Sequence, residues 1–328
     1  MSMRRNAPRR HPERTSPPPA VGYARLMFDV LGIGIAAVDA MIRVPRFPEP
    51  DAKIRVTGSE RACGGLCATA LVAAARLGAS TAHAGVLGTD ELSHFIVRSL
   101  EAEGVDVAYV VRLPQAGPGH SVVVVDPDGR RIVYSDSSRT LAGSDVAPPP
   151  ALVRRARVLL VDHVRVPAAV RAARVAHEAR IPVVGDLERS DHPRFADLLP
   201  LVDHLVIPLA FGMRLTGAAD PPAILAALRA PGRTTVLTAG PDGAWSLGPH
   251  PADTPERRPA FRVEVVDTTG CGDAFHGAHA AGLAFGLDLP GRVRLAGAVA
   301  ALTATRLGGQ AGLPDRATAD AFLAAQPG

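Results

Sequence analysis

The sequence predicts an α/β fold with a mostly parallel, doubly wound sheet, and three observations support this. The chain of 328 residues is long enough to bury a large core. Apolar residues make up 47% of it and aromatic residues only 4%, so Val, Leu, Ala and Ile must build that core. Beyond residue 155, short β-prone runs alternate with helical segments, which is typical of parallel strands joined by helices.

The elements follow in order along the chain. The run FDVLGIGI predicts a first strand over 28–35. Three prolines interrupt 41–61 and exclude a helix there, so its two β-prone runs suit a small exposed sheet. A helix is predicted over 64–77, because Gly78 ends its apolar run. Later strands are predicted at 82–86, 121–125, 130–134, 158–161, 183–186, 204–207 and 235–238, and later helices at 92–103, 168–179, 194–199, 222–228, 273–285, 291–305 and 317–325.

The positive charge of the chain is concentrated at its start. Six arginines and one glutamate give residues 1–25 a net charge of +5, whereas the whole chain carries +4. The remainder is therefore nearly neutral, and no nucleic-acid partner is expected. Residues 1–26 are predicted to form a disordered, basic, Pro-rich tail, and Met27 could be the true start.

Composition excludes several other classes of protein. No uncharged apolar run is long enough to span a membrane, and the tail lacks the apolar segment of a secretory signal. Three cysteines do not form a disulfide framework, which predicts a cytoplasmic location. Lys53 is the only lysine and no glycine directly precedes it, which excludes a P-loop, and the H-R-D and D-F-G motifs of the protein kinases are absent.

The run VDTTGCGDAFHGAHAAGLAFG, over 266–286, carries the strongest chemical signal. Gly270 and Gly272 allow a tight turn before a helix, whose N-terminus directs free N–H groups and a positive dipole end at an anion. Asp273 lies beside that turn, where it can accept a hydroxyl proton. The pattern therefore predicts phosphoryl transfer to an alcohol. A carboxyl beside a helix N-terminus is expected to have a low pKa, which suffices for a base in a loose transition state.

A second glycine pattern offers a remote alternative, an NAD-dependent oxidoreductase. Gly32, Gly34 and Ala37 follow the first strand with the spacing of the dinucleotide fingerprint, and Asp51 lies near its expected acidic position. That fingerprint needs a helix directly after the glycines. Pro45 comes too soon for one.

The run from Asp267 to Gly277 resembles the signature D-T-x-G-x-G-D-x-F-x-G of the ribokinase-like (PfkB) carbohydrate kinases, with every defining position filled. The resemblance extends over 28–325. It implies a ribokinase-like three-layer α/β/α core with a small β-sheet lid. The core would comprise 27–40, 62–106 and 137–328, and the lid 41–61 and 107–136.

The resemblance also implies an activity and the residues for it. The enzyme would use ATP and Mg²⁺ to phosphorylate a primary hydroxyl of a small sugar, with Asp273 as base and the N–H groups of Gly270, Cys271 and Gly272 on the transferred phosphoryl group. Expected sugar contacts are Asp39, Lys53, Gly64, Gly65, Thr69 and Arg165. Expected nucleotide contacts are Thr238, Gly240, Gly243, Thr269, Gly308 and Gly309. Asp267 and Thr269 can also form a monovalent-cation site, with K⁺ as the ion.

Some positions depart from the family pattern. Ala37 and Thr69 replace asparagines that contact the sugar. The Mg²⁺-organising motif N-x-x-E is absent, because Pro208 and Phe211 take its places. The metal would then be held largely by water and the nucleotide, with a contribution through water from Asp186 and Glu188.

The motifs are most similar to the branch of sulfofructose kinases and related ketose kinases, which carries a lid lysine at the place of Lys53. This favours a ketose or sulfofructose-like substrate. A ribokinase, fructokinase or nucleoside kinase remains an alternative, as does a binding module without activity, and Lys53 could be a solvated surface residue. A homodimer formed through the lid is expected.

Overall fold

The computed structural model describes residues 27–128, 130–136 and 138–326. The tail that was predicted to be disordered, 1–26, lies outside the described residues. The strands are, in chain order, β1 (Phe28–Ile33), β2 (Ala37–Arg43), β3 (Gly58–Gly64), β4 (Thr81–His83), β5 (Val86–Leu87), β6 (Val111–Arg112), β7 (Gly119–Val125), β8 (Arg131–Asp136), β9 (Ala156–Asp162), β10 (Val183–Asp186), β11 (His204–Pro208), β12 (Thr234–Thr238), β13 (Ala244–Leu247) and β14 (Glu256–Arg258).

The helices alternate with these strands in the second half of the chain. They are α1 (Leu66–Arg76), α2 (Glu91–Ala102), α3 (Pro150–Val153), α4 (Val166–Glu178), α5 (Phe195–Leu198), α6 (Leu209–Thr216), α7 (Pro221–Ala227), α8 (Cys271–Ala284), α9 (Leu289–Thr303) and α10 (Arg316–Ala324). Within the described residues, no helix is both long enough and apolar enough to cross a membrane.

An eight-stranded sheet forms the centre, in the order β14-β13-β12-β11-β10-β9-β1-β4. Six of its strands are parallel, and β13 and β14 add an antiparallel edge. Side chains alternate between its faces: Val30 packs into the core that α1, α8 and α9 cover, whereas Leu31 and Ile33 pack into the core that α4 covers. The predicted α/β fold with a mostly parallel, doubly wound sheet is confirmed.

A separate four-stranded sheet, in the order β3-β2-β7-β8, supplies the predicted small sheet. It begins at Ala37 and its second strand ends at Gly64, so it reaches beyond the predicted 41–61. Residues 107–118 do not belong to it, because β6 pairs with β5 instead. Whether this sheet moves as a lid stays a prediction.

The glycines of the dinucleotide-like pattern have a packing role. A Cβ at Gly32 would overlap Cys67 and Leu71 of α1, and a Cβ at Gly34 would overlap the carboxylate of Asp162. The chain then continues directly into β2 rather than into a helix. The geometry of a dinucleotide site, with a helix N-terminus after the glycines, is therefore not formed here.

Close packing of two helices brings the site together. A Cβ at Gly277 in α8 would overlap the backbone of Ala70 in α1, so the two helices approach at a distance that only glycine permits. Both helices begin at the carboxyl-end edge of the parallel strands. This edge is where open α/β sheets bind their ligands.

Candidate active site

The glycine-rich turn before α8 leads directly into the helix. The helix begins at Cys271, two residues before the predicted start, and Gly270 caps it in the left-handed region at φ 75°. A Cβ at Gly270 would overlap the backbone of Gly309. The first i→i−4 bond runs from the Ala274 N–H to the Gly270 carbonyl over 2.8 Å. The N–H groups of Gly272 and Asp273 precede that bond and can bind an anion.

Cys271 is the one member of the predicted turn whose N–H is already used. It donates to the carbonyl of Thr268 at 3.3 Å. Burial raises the pKa of its thiol to about 11, with the nearby carboxylates of Asp267 and Asp273 adding to the rise. The thiol is therefore neutral at physiological pH and puts no negative charge into the turn.

Asp273 lies in the first turn of α8 and has a pKa well above the ordinary value. Burial is the main cause, and the negative charge of Asp186 adds to it, whereas His276 acts in the opposite direction. The low pKa expected from the helix N-terminus is thus corrected. A helix dipole lowers the pKa of a nearby carboxyl only modestly, and burial beside other carboxylates raises the pKa of Asp273 by more.

Asp186 lies at the end of β10 and is almost fully buried, and among the described residues neither of its carboxylate oxygens has a hydrogen-bond partner. The Nε2 atom of His276 is 3.4 Å from it. The two ring nitrogens of His276 lie 2.7 Å from the Gly272 carbonyl and 2.8 Å from the Val206 carbonyl. The imidazole therefore connects the first turn of α8, which contains Asp273, to the central sheet.

The carboxylates of Asp186 and Glu188 suit a divalent cation. Unpaired carboxylate oxygens are the hard ligands that Mg²⁺ prefers. Among the described residues no cluster of three or more such side chains could hold a metal by itself. At the place of the missing N-x-x-E motif, Pro208 ends β11 and the buried Phe211 packs against Phe195. Phosphate oxygens and water would have to complete the ligand set.

The predicted sugar contacts meet at the junction of the two sheets. The Ser121 hydroxyl donates to the carboxylate of Asp39, and the same carboxylate occupies the space above Gly64. Burial raises the pKa of Asp39, while this bond and His120 lower it. Gly65 caps α1 at φ 95° and packs on the backbone of Ala36 and Ala37. Asp39, Gly64 and Gly65 therefore form one surface.

Three other predicted sugar contacts have different surroundings. Thr69 is buried, and its hydroxyl accepts a hydrogen bond from Gln310 at 3.2 Å. Arg165 is also buried, and its guanidinium donates to the backbone carbonyls of Thr140 and Gly143. Lys53 is exposed and makes no hydrogen bond or ion pair within the described part of the chain. The structure therefore gives Arg165 a role in holding a loop, and it leaves Lys53 free.

A cavity of about 400 Å³ adjoins the glycine-rich turn. Cys271 and Gly272 line both the turn and this cavity, so the two are continuous. Three predicted nucleotide contacts, Thr238, Gly240 and Gly243, line its rim. Its walls are mostly apolar, and the sequence pattern did not mark Phe261, Val263, Val265, Val293 and Ala300. Its size suits a small organic ligand such as a purine.

The remaining predicted residues surround Asp267. Its carboxylate accepts hydrogen bonds from the N–H and hydroxyl of Thr269 and from the N–H of Gly308. Gly309 lies against Gly270. Arg131 of β8 also donates to Asp267 and Thr269. No local sequence pattern predicted that Arg131 contacts Asp267, because 136 residues separate the two.

Known proteins with similar sequences support a kinase site of this kind. A sequence model described as "pfkB family carbohydrate kinase" matches residues 27–316. An ATP-dependent ribose-1-phosphate kinase of Halopiger xanaduensis is 30% identical over 305 residues, which cover 91% of this chain and 98% of the relative. A ribokinase of Staphylococcus aureus is 25% identical over 298 residues, which cover 87% of this chain and 96% of the relative.

Solved structures show the same fold. A protein assigned as a ribokinase from Agrobacterium tumefaciens has a TM-score of 0.85 and 28% identity, covering 90% of this chain and 97% of its own. The Arabidopsis thaliana ribokinase complexed with ribose and ATP has a TM-score of 0.79 and 24% identity, and the match covers 91% of this chain and 99% of that ribokinase. A protein assigned as ribokinase II from E. coli, in complex with ATP and Mg²⁺, has a TM-score of 0.77 and 21% identity, and the match covers 90% of this chain and 99% of that protein.

Proposed function

This chain belongs to the pfkB family of carbohydrate kinases, and we propose that it transfers the γ-phosphoryl group of ATP to a primary hydroxyl of a small sugar. The family makes it a phosphotransferase with an alcohol as acceptor. One observation supports the specific reaction best. The carboxyl of Asp273 lies in the first turn of α8, directly after a turn with free N–H groups, and its charge interacts with that of Asp39, which lies against Gly64.

The nucleotide would occupy the apolar cavity. Its base would lie between the loop 238–244 and α9, and its phosphates would extend toward Gly272. Two proteins with the same fold have been solved in complex with ATP, which supports ATP as the nucleotide. Thr238, Gly240 and Gly243 would border the nucleotide, as the sequence predicted.

The residues of the turn would do most of the chemical work. Asp273 would accept the hydroxyl proton as the sugar oxygen attacks the γ-phosphorus. The N–H groups of Gly272 and Asp273 and the dipole of α8 would stabilise the charge on the transferred phosphoryl oxygens. A raised pKa makes the ionised Asp273 a stronger base than an ordinary aspartate. His276 would hold the first turn in place through its bond to Gly272.

Mg²⁺ would neutralise charge on the β- and γ-phosphates when bound. The free carboxylates of Asp186 and Glu188 are the groups that we expect to hold it, with water and the nucleotide as the other ligands. A protein of the same fold has been solved in complex with ATP and Mg²⁺, which supports a magnesium ion as the companion of the nucleotide.

The substrate is a small sugar, and the role of Lys53 distinguishes an anionic sugar from a neutral one. The relatives named ribokinase act, by name, on ribose, and the Halopiger relative acts, by name, on a phosphorylated ribose. A neutral pentose therefore fits the motifs as well as the ketose or sulfofructose-like sugar predicted from the sequence. The free ammonium of Lys53 favours a substrate with an anionic group at its far end.

Two broader proposals accompany this function. The exposed apolar side chains of β8 support the predicted homodimer through the small sheet. A cytoplasmic location is proposed from the three unpaired thiols and the use of ATP.

The proposed function is tested by measuring ADP formation with Mg·ATP against a panel of sugars. The panel pairs ribose, fructose and other neutral sugars with sugar phosphates, sulfofructose and nucleosides. We expect turnover with at least one sugar and none with nucleosides. Turnover with nucleosides alone, or no turnover with any acceptor, would contradict the proposal.

A further inference from the structure

The carboxylate of Asp267 accepts four hydrogen bonds, three of them at one oxygen. Its Oδ1 atom accepts from the Thr269 N–H at 2.9 Å, the Thr269 hydroxyl at 2.8 Å and the Nη1 atom of Arg131 at 3.1 Å. Its Oδ2 atom accepts from the Gly308 N–H at 2.9 Å. The resemblance to the family suggested a K⁺ ion bound by Asp267 and Thr269. A cation binds the same lone pairs that these donors use.

The hydroxyl of Thr269 is occupied in the same way. It donates to Asp267, and it accepts from the Nη1 atom of Arg131 at 2.6 Å. A single guanidinium nitrogen thus contacts both oxygens that would ligate the ion. The side chains of Asp267 and Thr269 do not fit a K⁺ ion while Arg131 is in place.

The guanidinium supplies the positive charge that the ion would bring. Arg131 and Asp267 form an ion pair in which the side chains are 39% and 8% exposed, respectively, so water screens the pair less than one in which both partners lie at an open surface. Burial would raise the pKa of Asp267, but the hydrogen bonds from Gly308 and Thr269 and the positive charge of Arg131 together lower it, so the carboxylate stays ionised. The thiol of Cys271, in the anion-binding turn, lies within the field of both charges.

Arg131 also connects two parts of the molecule. It lies in β8 of the small sheet, whereas Asp267 and Thr269 lie in the turn before α8. A tethered cation has a high effective concentration at its site, which dissolved K⁺ must exceed to compete. Arg131 can bring its positive charge to Asp267 only when the small sheet packs against the core.

We propose that the guanidinium of Arg131 is the resident cation of the Asp267–Thr269 site and that this kinase therefore works without activation by K⁺. The part that concerns activity rests on the proposed kinase function. The part that concerns cation binding does not.

The test compares the wild-type protein with Arg131→Met in KCl and in tetramethylammonium chloride at equal ionic strength, so that screening is the same. Two readouts are taken: sugar-kinase turnover, and the melting temperature without substrates. The wild-type protein should have the same turnover in the two salts, and it should also have the same melting temperature in them. Arg131→Met should lose on the order of tenfold in turnover in tetramethylammonium chloride, since a charge-assisted hydrogen bond is lost. KCl should restore its turnover and raise its melting temperature, because an ion that binds only the folded state stabilises it.

Two further variants make the result specific. Arg131→Gln keeps a donor but removes the charge, and it should behave like Arg131→Met. Arg43→Met removes another arginine of the small sheet, one paired with Glu60 at an exposed position, and it should gain no response to K⁺. A K⁺-specific response of the wild-type protein, or none in either Arg131 variant, would overturn the proposal. If no sugar is phosphorylated, the kinase proposal fails while the melting temperatures still decide the cation question.

Discussion

Asp273 experiences opposing influences on its charge. The N-terminus of α8 and His276 favour the carboxylate, whereas burial and the neighbouring Asp186 and Glu188 favour the neutral acid. In the free protein, burial and the neighbouring carboxylates have the larger effect, so the pKa of Asp273 lies above its ordinary value. Bound Mg²⁺ would neutralise the carboxylates that oppose ionisation, so the base would be ionised when nucleotide and metal are present.

Asp273→Asn should lower kcat by a factor on the order of 10² or more, because loss of a general base typically costs that much. The affinity for ATP, measured by calorimetry, should change little, because an amide keeps the shape of the side chain. Asp191→Asn, at an exposed position, is the control and should keep full turnover. Full turnover of Asp273→Asn would show that another group accepts the proton.

The raised pKa of Asp273 predicts a particular pH dependence. The base must be ionised to act, so kcat/KM should fall as the pH drops through the raised pKa, at a higher pH than the ordinary carboxyl value of 3.8 would give. Asp186→Asn removes the largest neighbouring charge and should move this acid limb to lower pH. The measurement is the pH profile of kcat/KM for Mg·ATP, which reports the enzyme before nucleotide and metal bind. An acid limb at the same pH in both proteins would argue against the assigned coupling.

Lys53→Met tests the substrate class. If the sugar carries a phosphate or sulfonate, the variant should raise KM for it by roughly tenfold, about 1.4 kcal/mol of binding free energy. KM for a neutral sugar should change little. Arg55→Met, in the same exposed segment, is the matched control. Equal effects of Lys53→Met on anionic and neutral sugars would favour a neutral-sugar kinase.

At the scale of single elements, local sequence determined most of the structure. Strands such as β10 and helices such as α4 lie within two residues of their predicted limits, because their apolar periodicity and flanking turns are local signals. The strand predicted over 82–86 is instead divided into β4 and β5, since tertiary pairing with β1 and β6 decides where each one ends. The antiparallel β13 and β14 gave no pattern of their own.

The glycines of α8 have two different roles, and paired substitutions separate them. No atom lies near the position of a Cβ at Gly272, whereas a Cβ at Gly277 would overlap Ala70. Gly272→Ala should leave the melting temperature unchanged and raise KM for ATP by roughly tenfold or more, since its methyl group would project into the anion site. Gly277→Ala should lower the free energy of unfolding by about 1–3 kcal/mol through overpacking. The opposite pattern would mean that the anion does not bind at this turn.

At the scale of the whole molecule, the sequence predicted the layers and the main motif but not the contacts between distant segments. Asp273 and the glycines of the turn were identifiable because their chemistry lies in one continuous run. The bonds from Ser121 to Asp39 and from Arg131 to Asp267 join residues 82 and 136 positions apart. The first pair depends on how β2 and β7 align within the small sheet, and the second depends on how that sheet packs against the core. No local pattern encodes either arrangement.

The small sheet also determines the prediction for assembly. Side chains alternate along β8, so Ile132 and Tyr134 share the face opposite to Arg131. They are 40% and 62% exposed. The paired residues Val122 and Val124 extend that face across β7, which makes a continuous apolar patch on an edge of the sheet. Burying this patch against a second copy, around a two-fold axis, would remove it from water.

We therefore expect a homodimer by light scattering, and we expect Ile132→Glu to convert it to a monomer by placing a charge in the apolar contact. Met213→Glu is the control, because Met213 is also 40% exposed but lies on α6 of the core. If the two subunits meet through the small sheets, Ile132→Glu should also raise KM for the sugar, because Asp39 belongs to the same sheet. KM for ATP should change less, since the nucleotide cavity lies in the core. A wild-type monomer, or a dimer that Met213→Glu disrupts and Ile132→Glu does not, would rule out assembly through this face.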